Sequence, residues 1–223
     1  MQRIKVWDLP VRLFHWALVI AFGFSVFSAF QDKMMTGYDV MHLRAGVCVL
    51  ILVLFRDLWG FLGSTTARFM SFVKGPAALS QHITQMRAGK PYDYVGHNPL
   101  GGWSVGIMLD ALMLQAVLGL FSSDDMFFEG PFSKTIEEST VGIVSLVHQL
   151  VGYFLIAVVG LHILAVIYYG IGKGINLVHP MITGSKMVSD EVALANKGNI
   201  FVSPWTALLL FVLSGLVVCT AIF

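Results

Sequence analysis

The sequence carries little charge. Asp, Glu, Lys and Arg make up 12% of its 223 residues and 57% are hydrophobic, whereas an ordinary soluble domain has about 25% charged residues. The mean hydropathy is +0.78. This composition excludes an ordinary soluble domain and predicts an integral membrane protein. The net charge of +1 identifies no partner by itself, and we expect no nucleic-acid partner.

Cysteine is also scarce. The two cysteines, Cys48 and Cys219, both lie inside apolar runs, where free cysteine behaves as a small hydrophobic residue. The sequence therefore gives no indication of a disulfide framework, and it has no Cys-x-x-Cys-His motif for covalent attachment of a cofactor.

Five long apolar runs are present instead. They cover about residues 9–30, 40–62, 100–121, 141–169 and 204–223, and each can cross a hydrocarbon core of about 30 Å. A cleaved signal peptide is the alternative for the first run, because Arg3 and Lys5 precede it. The length and aromatic start of that run favour a spanning helix. We expect Arg56, Asp57 and Trp59 to mark the far interface of the second run.

A polar segment, about residues 63–99, separates the second and third runs. Gly75-Pro76 and Gly89-Lys90-Pro91 act as helix breakers within it. The pattern between these breakers predicts an amphipathic helix over about residues 77–88.

Five spans place the segments between them alternately on the two sides of the membrane. Lysine and arginine are distributed unevenly between these two sides. With the amino terminus inside, eleven of the 14 lie on the inner side, and Lys33, Arg44 and Lys134 lie on the outer side. Positive charge concentrates on the cytoplasmic side of membrane proteins. The sequence therefore predicts a multi-pass membrane protein with its amino terminus in the cytoplasm and its carboxyl terminus outside.

Two histidines of the fourth run, His148 and His162, are separated by fourteen residues. At about 100° and about 1.5 Å per helical residue, both rings face the same way and lie roughly 21 Å apart along the axis. One helix thus offers one ligand near each side of the membrane. His15 shares the inner depth of His162, and His42 shares the outer depth of His148. The predicted pairs are His15 with His162 and His42 with His148.

Two neutral imidazoles that face each other inside a membrane are the ligand set of a bis-histidine b-type haem, which passes single electrons. A lone intramembrane histidine is more simply a hydrogen-bonded core residue, but four at matched depths favour two haems. Zinc is the weaker alternative, because two ligands leave its tetrahedral set incomplete. The predicted cofactor-binding and metal-binding residues are therefore His15, His42, His148 and His162, and no catalytic residue is predicted.

Glycines lie one helical turn from the two outer histidines. Gly46 follows His42 by four residues, and Gly152 follows His148 by four. A missing side chain there lets a flat macrocycle approach the backbone. Membrane helices also use glycine for packing, and both interpretations stay open.

Two arginines lie close to predicted ligands in the sequence. Arg12 shares a helix face with His15, and Arg44 follows His42 by two residues. Either could reach a haem propionate, and Arg12 is the better candidate. Both could equally be snorkelling cations at the interface.

Four ordered groups of motifs extend over about residues 5–186. They are WDLPVRLFHW, then HLRAG with LFRDLWGFLGS and RFMSF, then GHNPLGGW, and finally NLVHPMITG. Together they resemble the bacterial cytochrome b-561 and nickel-iron hydrogenase cytochrome b family.

The resemblance implies an all-α integral membrane protein: a four-helix transmembrane bundle over residues 1–186 holding two b haems. The family's haem ligands fall on His15, His42, His148 and His162. It also implies electron exchange between the membrane quinone pool and a redox partner. Residues 187–223 would form a linker and an additional carboxyl-terminal transmembrane helix.

Two further polar residues stand near or inside the third run. Asp110 lies near its middle, where an ionised carboxylate costs about 2.5–3.5 kcal/mol. A proton-linked role near a quinone and a protonated carboxyl bonded to Gln115 are both open. His97 could bond a propionate or a quinone, but helix-entry chemistry, with Asn98 as cap and Pro99 in the first turn, is favoured.

The segment between the third and fourth runs is acidic. Its Asp124, Asp125, Glu129, Glu137 and Glu138 outnumber Lys134. An acidic outer face attracts a basic protein and repels a small anion. We therefore expect an electron-transfer subunit of a membrane oxidoreductase in respiratory electron transport, whose partner is a hydrogenase small subunit or a c-type cytochrome of the periplasm. A superoxide:quinone oxidoreductase is the alternative, and a structural protein without redox function comes third.

Overall fold

The computed structural model describes residues 1–31, 37–89, 94–124 and 128–223. In chain order its elements are β1 (Gln2–Lys5), α1 (Leu9–Ala29), α2 (Tyr38–Leu62), α3 (Phe69–Phe72), α4 (Pro76–Arg87), α5 (Pro99–Phe121), α6 (Glu138–Ile167), α7 (Val178–Thr183), β2 (Ser185–Val188), α8 (Asp190–Ala195) and α9 (Pro204–Ile222). Short 3₁₀ helices cover Thr65–Ala67 and Ser133–Thr135, and a π-helical turn covers Tyr168–Gly172.

Five helices, α1, α2, α5, α6 and α9, are long and apolar enough to cross a membrane. The five spans expected from the hydrophobic runs are therefore confirmed, and the chain is a multi-pass membrane protein. The fourth span continues from α6 through the π-helical turn to Gly172. The amphipathic helix between the glycine-proline breakers is also confirmed as α4.

A small antiparallel sheet is added to the expected all-α architecture. Strands β1 and β2 pair over four residues each, from Gln2 opposite Val188 to Lys5 opposite Ser185. Strands this short, far apart in the sequence, have too few residues for a period-two pattern to stand out. The sequence predicts a boundary between residues 1–186 and residues 187–223. Strand β2 crosses this boundary, and the division stays a prediction.

The chain divides into two compact units, and each combines three stretches of sequence. The first unit comprises Met1–Leu13, Arg56–Ile107 and Gly160–Leu210, and the second comprises Phe14–Phe55, Met108–Val159 and Phe211–Phe223. In the second unit, Val47, Leu50, Leu120 and Val218 form a buried apolar cluster. This cluster joins α2, α5 and α9 in a core of ordinary hydrophobic side chains.

In the first unit, Asp8 connects the start of α1 to α2. Its carboxylate accepts a hydrogen bond from the Val11 amide at 2.9 Å and another from Trp59 Nε1 at 3.0 Å. The first bond makes Asp8 the N-cap of α1, and Pro10 suits the first turn. Both Asp8 and Trp59 are buried.

Trp59 and Arg56, near the end of α2, are enclosed by protein, and their expected place at a membrane interface stays a prediction. Trp59 is fully buried, and Arg56 is 3% exposed. Arg56 Nη2 donates to the Ala67 carbonyl at 3.0 Å, and the guanidinium lies 5.0 Å from the centre of the Phe69 ring. The segment after α2 thus folds back over these side chains, which the sequence of α2 alone does not show.

Candidate cofactor site

His42 on α2 and His148 on α6 lie together in the second unit. Their ring centroids are 6.2 Å apart, and the ring planes are inclined at 88°. Two imidazoles that bind one metal ion have centroids about 6 Å apart, because each metal–nitrogen bond is about 2 Å and each centroid lies about 1 Å behind its nitrogen. The spacing of the two rings therefore fits a single metal ion between them.

The hydrogen bonds of the two rings determine which nitrogen carries the proton. His42 Nδ1 lies 3.0 Å from the Ser25 carbonyl oxygen, and His148 Nδ1 lies 3.0 Å from the Gln115 carbonyl oxygen. A carbonyl oxygen can only accept, so both Nδ1 atoms donate. In a neutral imidazole this leaves the lone pair on Nε2, the tautomer that a metal-binding histidine requires.

The side chain of Gln115 lies against the same atom of His148. Its amide nitrogen is 3.2 Å from His148 Nε2 and is positioned to donate to it. The amide oxygen of Gln115 is buried and has no hydrogen-bond partner among the described residues. This amide must move aside if His148 binds a metal ion.

A cavity of about 540 Å³ adjoins both histidines, and its lining includes Gly46, Gly152 and Gly119. Cofactor sites have volumes of about 300–1,000 Å³. A Cβ atom built on Gly46 would meet no atom within 4 Å, whereas one on Gly119 would lie 3.0 Å from His148 Cε1. Gly119 thus lets α5 pack against the ring, and Gly46 leaves open space one turn from His42.

These residues fit a b-type haem. Two imidazoles present unprotonated Nε2 atoms, the cavity has the required size, and glycines remove side chains beside the ligands. Among the residues that the structure describes, no group of three or more His, Cys, Asp or Glu side chains could hold a metal ion.

The inner histidines lie in separate units. His15 on α1 belongs to the second unit and contacts Trp16 edge-on, with centroids 5.0 Å apart. His162 on α6 belongs to the first unit and is half-buried. The pairing of His15 with His162 stays a prediction.

The structure supports helix-entry chemistry for the segment around His97. Asn98 Oδ1 accepts the Gly101 amide at 2.6 Å, which confirms Asn98 as the N-cap of α5. The His97 ring lies between two aromatic rings, with centroid distances of 4.8 Å to Trp7 and 4.7 Å to Phe72. His97 therefore has a packing role in the first unit.

Asp110 is exposed on α5. At about 100° per residue it is turned roughly 140° from Gln115 and 180° from Gly119, both of which line the cavity. No hydrogen bond or ion pair joins it to any residue in the described part of the chain, and Gln115 contacts His148 instead. The alternative of an Asp110–Gln115 bond is therefore not seen in the described structure, and a proton-linked role stays untested.

The two arginines near the predicted ligands have different surroundings. Arg12 donates to the carbonyl of Ile182, whereas Arg44 is exposed. The main-chain carbonyls of Ser25 and Gln115 were not predicted at the site. No sequence signal could reveal them, because every residue has a carbonyl and only packing selects which one meets a ring.

Comparison with known proteins places the chain among membrane cytochromes. Residues 6–184 match the family described as prokaryotic cytochrome b561. A probable Ni/Fe-hydrogenase B-type cytochrome subunit of Rhizobium leguminosarum bv. viciae is 24% identical over 222 residues, which cover 85% of this chain and 91% of the relative. No solved structure matches the chain.

Proposed function

Because the chain belongs to the prokaryotic cytochrome b561 family, and is therefore a membrane b-type cytochrome of electron transfer, we propose that it holds two b haems. In this proposal His42 and His148 hold the outer haem, and His15 and His162 hold the inner one. The haems join the quinone pool to a periplasmic redox protein. The single observation that carries the proposal is the geometry of His42 and His148, with centroids 6.2 Å apart.

Each haem would supply a centre that accepts and releases one electron. The chain's own residues orient the outer ligands through the Ser25 and Gln115 carbonyls, which accept the two Nδ1 protons. Such bonds fix the ring orientation and raise the basicity of the opposite nitrogen. The outer ligands are thus positioned before any cofactor binds.

The acidic segment between α5 and α6 supports a protein partner on the outer side. Glu137 and Glu138 are exposed, and Lys134 forms an ion pair with Glu129. Because that pair neutralises the lysine, the exposed charge is negative; Asp125 lies outside the described residues. A basic surface, such as that of a c-type cytochrome, would be attracted here.

The hydrogenase-type partner rests on the name of the Rhizobium relative, a hydrogenase cytochrome subunit. The cytoplasmic amino terminus rests on the distribution of lysine and arginine, and the bacterial inner-membrane location rests on the family. Mixing the reduced protein with quinone and with candidate periplasmic proteins tests electron transfer to both proposed partners. Rapid reduction by superoxide, with no exchange with any such protein, would favour the superoxide alternative.

Haem stoichiometry tests the ligand assignment. The four ligands are replaced one at a time by alanine in cells with ample haem, and haem per chain is measured as the pyridine haemochrome. We expect two haems in the unchanged protein and one in each variant. His42→Ala and His148→Ala should leave the same remaining spectrum, and the exposed His179→Ala control should keep two. A colourless protein, or a ligand variant that retains both haems, would refute the assignment.

A further inference from the structure

A second concave site lies in the first unit, apart from the histidines. It has a volume of about 310 Å³ and lies where β1, the first turn of α1 and the turn between α7 and β2 meet. Its lining includes three cationic side chains, those of Arg3, Lys5 and Arg12. We call this site the basic pocket. Among the residues that the structure describes, no acidic side chain lines it.

The three cations of the basic pocket contact only neutral groups. Arg3 Nε donates to Ser185 Oγ at 3.1 Å, and Lys5 Nζ lies 4.3 Å from the centre of the Phe201 ring. Arg12 donates to a main-chain carbonyl. In the described part of the chain none of the three forms an ion pair. The pocket therefore concentrates positive charge that the described protein does not neutralise.

Arg12 also has an unused donor. Its Nε is buried and has no hydrogen-bond partner among the described residues. A buried charged donor without an acceptor costs at least about 1–3 kcal/mol. An acceptor from outside the described protein, such as an anion in the pocket, would remove that cost.

Gly184 shapes the wall beside this donor. Its φ of +82° is a left-handed conformation that favours glycine. A Cβ atom there would lie 3.2 Å from Arg12 Nε and 2.9 Å from the Trp7 carbonyl oxygen. The Gly184 carbonyl accepts the amides of Val6 and Trp7 at 2.8 and 3.1 Å. The turn is thus fixed close against the guanidinium, with no side chain in between.

The position of the pocket indicates where its ligand comes from. Arg12 lies in the first turn of α1, at the end of a spanning helix, and the headgroups of the bilayer lie at that depth. Basic pockets beside spanning helices bind anionic headgroups, and each nearby Lys or Arg contributes about 1 kcal/mol.

We propose that the basic pocket binds the phosphate group of an anionic phospholipid through Arg3, Lys5 and Arg12. The site is independent of the proposed haem and quinone chemistry, because it requires only that α1 spans the membrane.

Lipid retention on the full-length protein with its haems in place tests the proposal. The protein is purified from mixed vesicles of phosphatidylglycerol and phosphatidylcholine, and bound lipid is measured by native mass spectrometry. We expect phosphatidylglycerol to be retained preferentially. Arg12→Gln should lower its retention about fivefold, the equivalent of about 1 kcal/mol. Lys197→Gln, which removes an exposed cation outside the pocket, should leave it unchanged.

Three results would overturn the proposal. Equal retention of both lipids by the unchanged protein would exclude a headgroup site. Binding of inorganic phosphate alone, with displacement of the lipid at equal concentration, would identify a free-anion site. An Arg12→Gln variant that shifts a haem band but keeps its lipid would assign Arg12 to a haem carboxylate. If Arg12→Gln does not fold, the exposed double variant Arg3→Gln with Lys5→Gln gives the same test, and unchanged lipid retention there refutes the pocket.

Discussion

The imidazoles of His42 and His148 lie with their centroids 6.2 Å apart and their ring planes inclined at 88°. Each ring donates its Nδ1 proton to a main-chain carbonyl of another helix, Ser25 on α1 or Gln115 on α5. Four spanning helices thus contribute to one arrangement, two with the imidazoles and two with the carbonyls that orient them. The tautomer and the direction of both rings are therefore set by the protein.

Substitution of Gly46 tests whether a cofactor occupies the open space beside His42. We expect Gly46→Ala to lower the outer haem content while the haem-free protein keeps its stability or gains up to about 1 kcal/mol, as glycine-to-alanine changes in helices do. The reason is that the new methyl group meets no protein atom within 4 Å but enters the cavity. Haem per chain and thermal unfolding measure the two effects.

Gly142→Ala is the matched control. Gly142 is an exposed helical glycine on α6 whose Cβ also would meet nothing within 4 Å. It should gain stability in the same way and keep both haems. Full haem content in Gly46→Ala would show that the open space serves packing or lipid instead.

The bond between Asp8 and Trp59 predicts a large stability effect. Asp8→Ala should destabilise the protein by about 2–4 kcal/mol, because it removes a helix cap worth about 1 kcal/mol and leaves a buried indole N–H without its acceptor, at about 1–3 kcal/mol. Asp8→Asn, which keeps one acceptor oxygen, should cost less. Unfolding in detergent, followed by tryptophan fluorescence, measures both.

Asp190→Ala serves as the control for Asp8, since its side chain is 70% exposed and pairs with the amino terminus. It should change the free energy of unfolding by less than about 1 kcal/mol. Equal effects of Asp8→Ala and Asp190→Ala would contradict the role of the buried carboxylate.

His82 makes the stability of α4 depend on pH. The side chain is 5% exposed, its Nδ1 lies 3.2 Å from Tyr94 Oη, and burial lowers the pKa of the imidazole below its ordinary value of about 6.5. Above that value the ring is neutral in both the folded and the opened state. As the pH falls below it, the opened state takes up a proton first, so stability is lost until the pH passes the folded pKa.

Hydrogen exchange of the α4 amides, corrected for intrinsic rates, measures this loss. Protection should fall as the pH drops below the ordinary histidine pKa of about 6.5, and His82→Phe should remove the dependence. The exposed His179→Ala should retain it. A pH-independent protection of α4 in the unchanged protein would show that His82 protonates without cost.

We expect a substitution of Asp110 to leave cofactor binding unchanged. Asp110→Leu should keep the haem content and spectrum, because the side chain lies on the face of α5 opposite the cavity-lining residues. It should also favour membrane insertion by about 2.5–3.5 kcal/mol, the cost of an acidic residue at mid-membrane. Haem stoichiometry and insertion efficiency are the measurements; loss of a haem would contradict this placement.

Asp110→Asn separates charge from shape. It retains the size of the side chain but removes its titration. A change in the pH profile of quinol oxidation in this variant would support a proton-linked role, while an unchanged profile would exclude it.

Much of the architecture is local in the sequence and could be read from it. A hydrophobic run is long enough to span a membrane whatever surrounds it, so all five spans were predicted. Asn98 followed by Pro99 is a helix start by its own chemistry, and Asn98 caps α5 as expected. The positions of His42 and His148 within their runs predicted that they lie at the same depth in the membrane. The matched depth in turn predicted that the two side chains pair.

Tertiary structure decided how each helix is rotated and which distant group meets each side chain. Sequence spacing does not show that the Gln115 carbonyl orients His148, that Asp110 lies on the face opposite the cavity-lining residues, or that Trp59 is buried against Asp8. The pairing of β1 with β2, which places Arg12 beside Gly184, joins segments about 180 residues apart. Hydrophobic length constrains a helix only along its axis, whereas rotation about that axis follows from packing against segments remote in the chain.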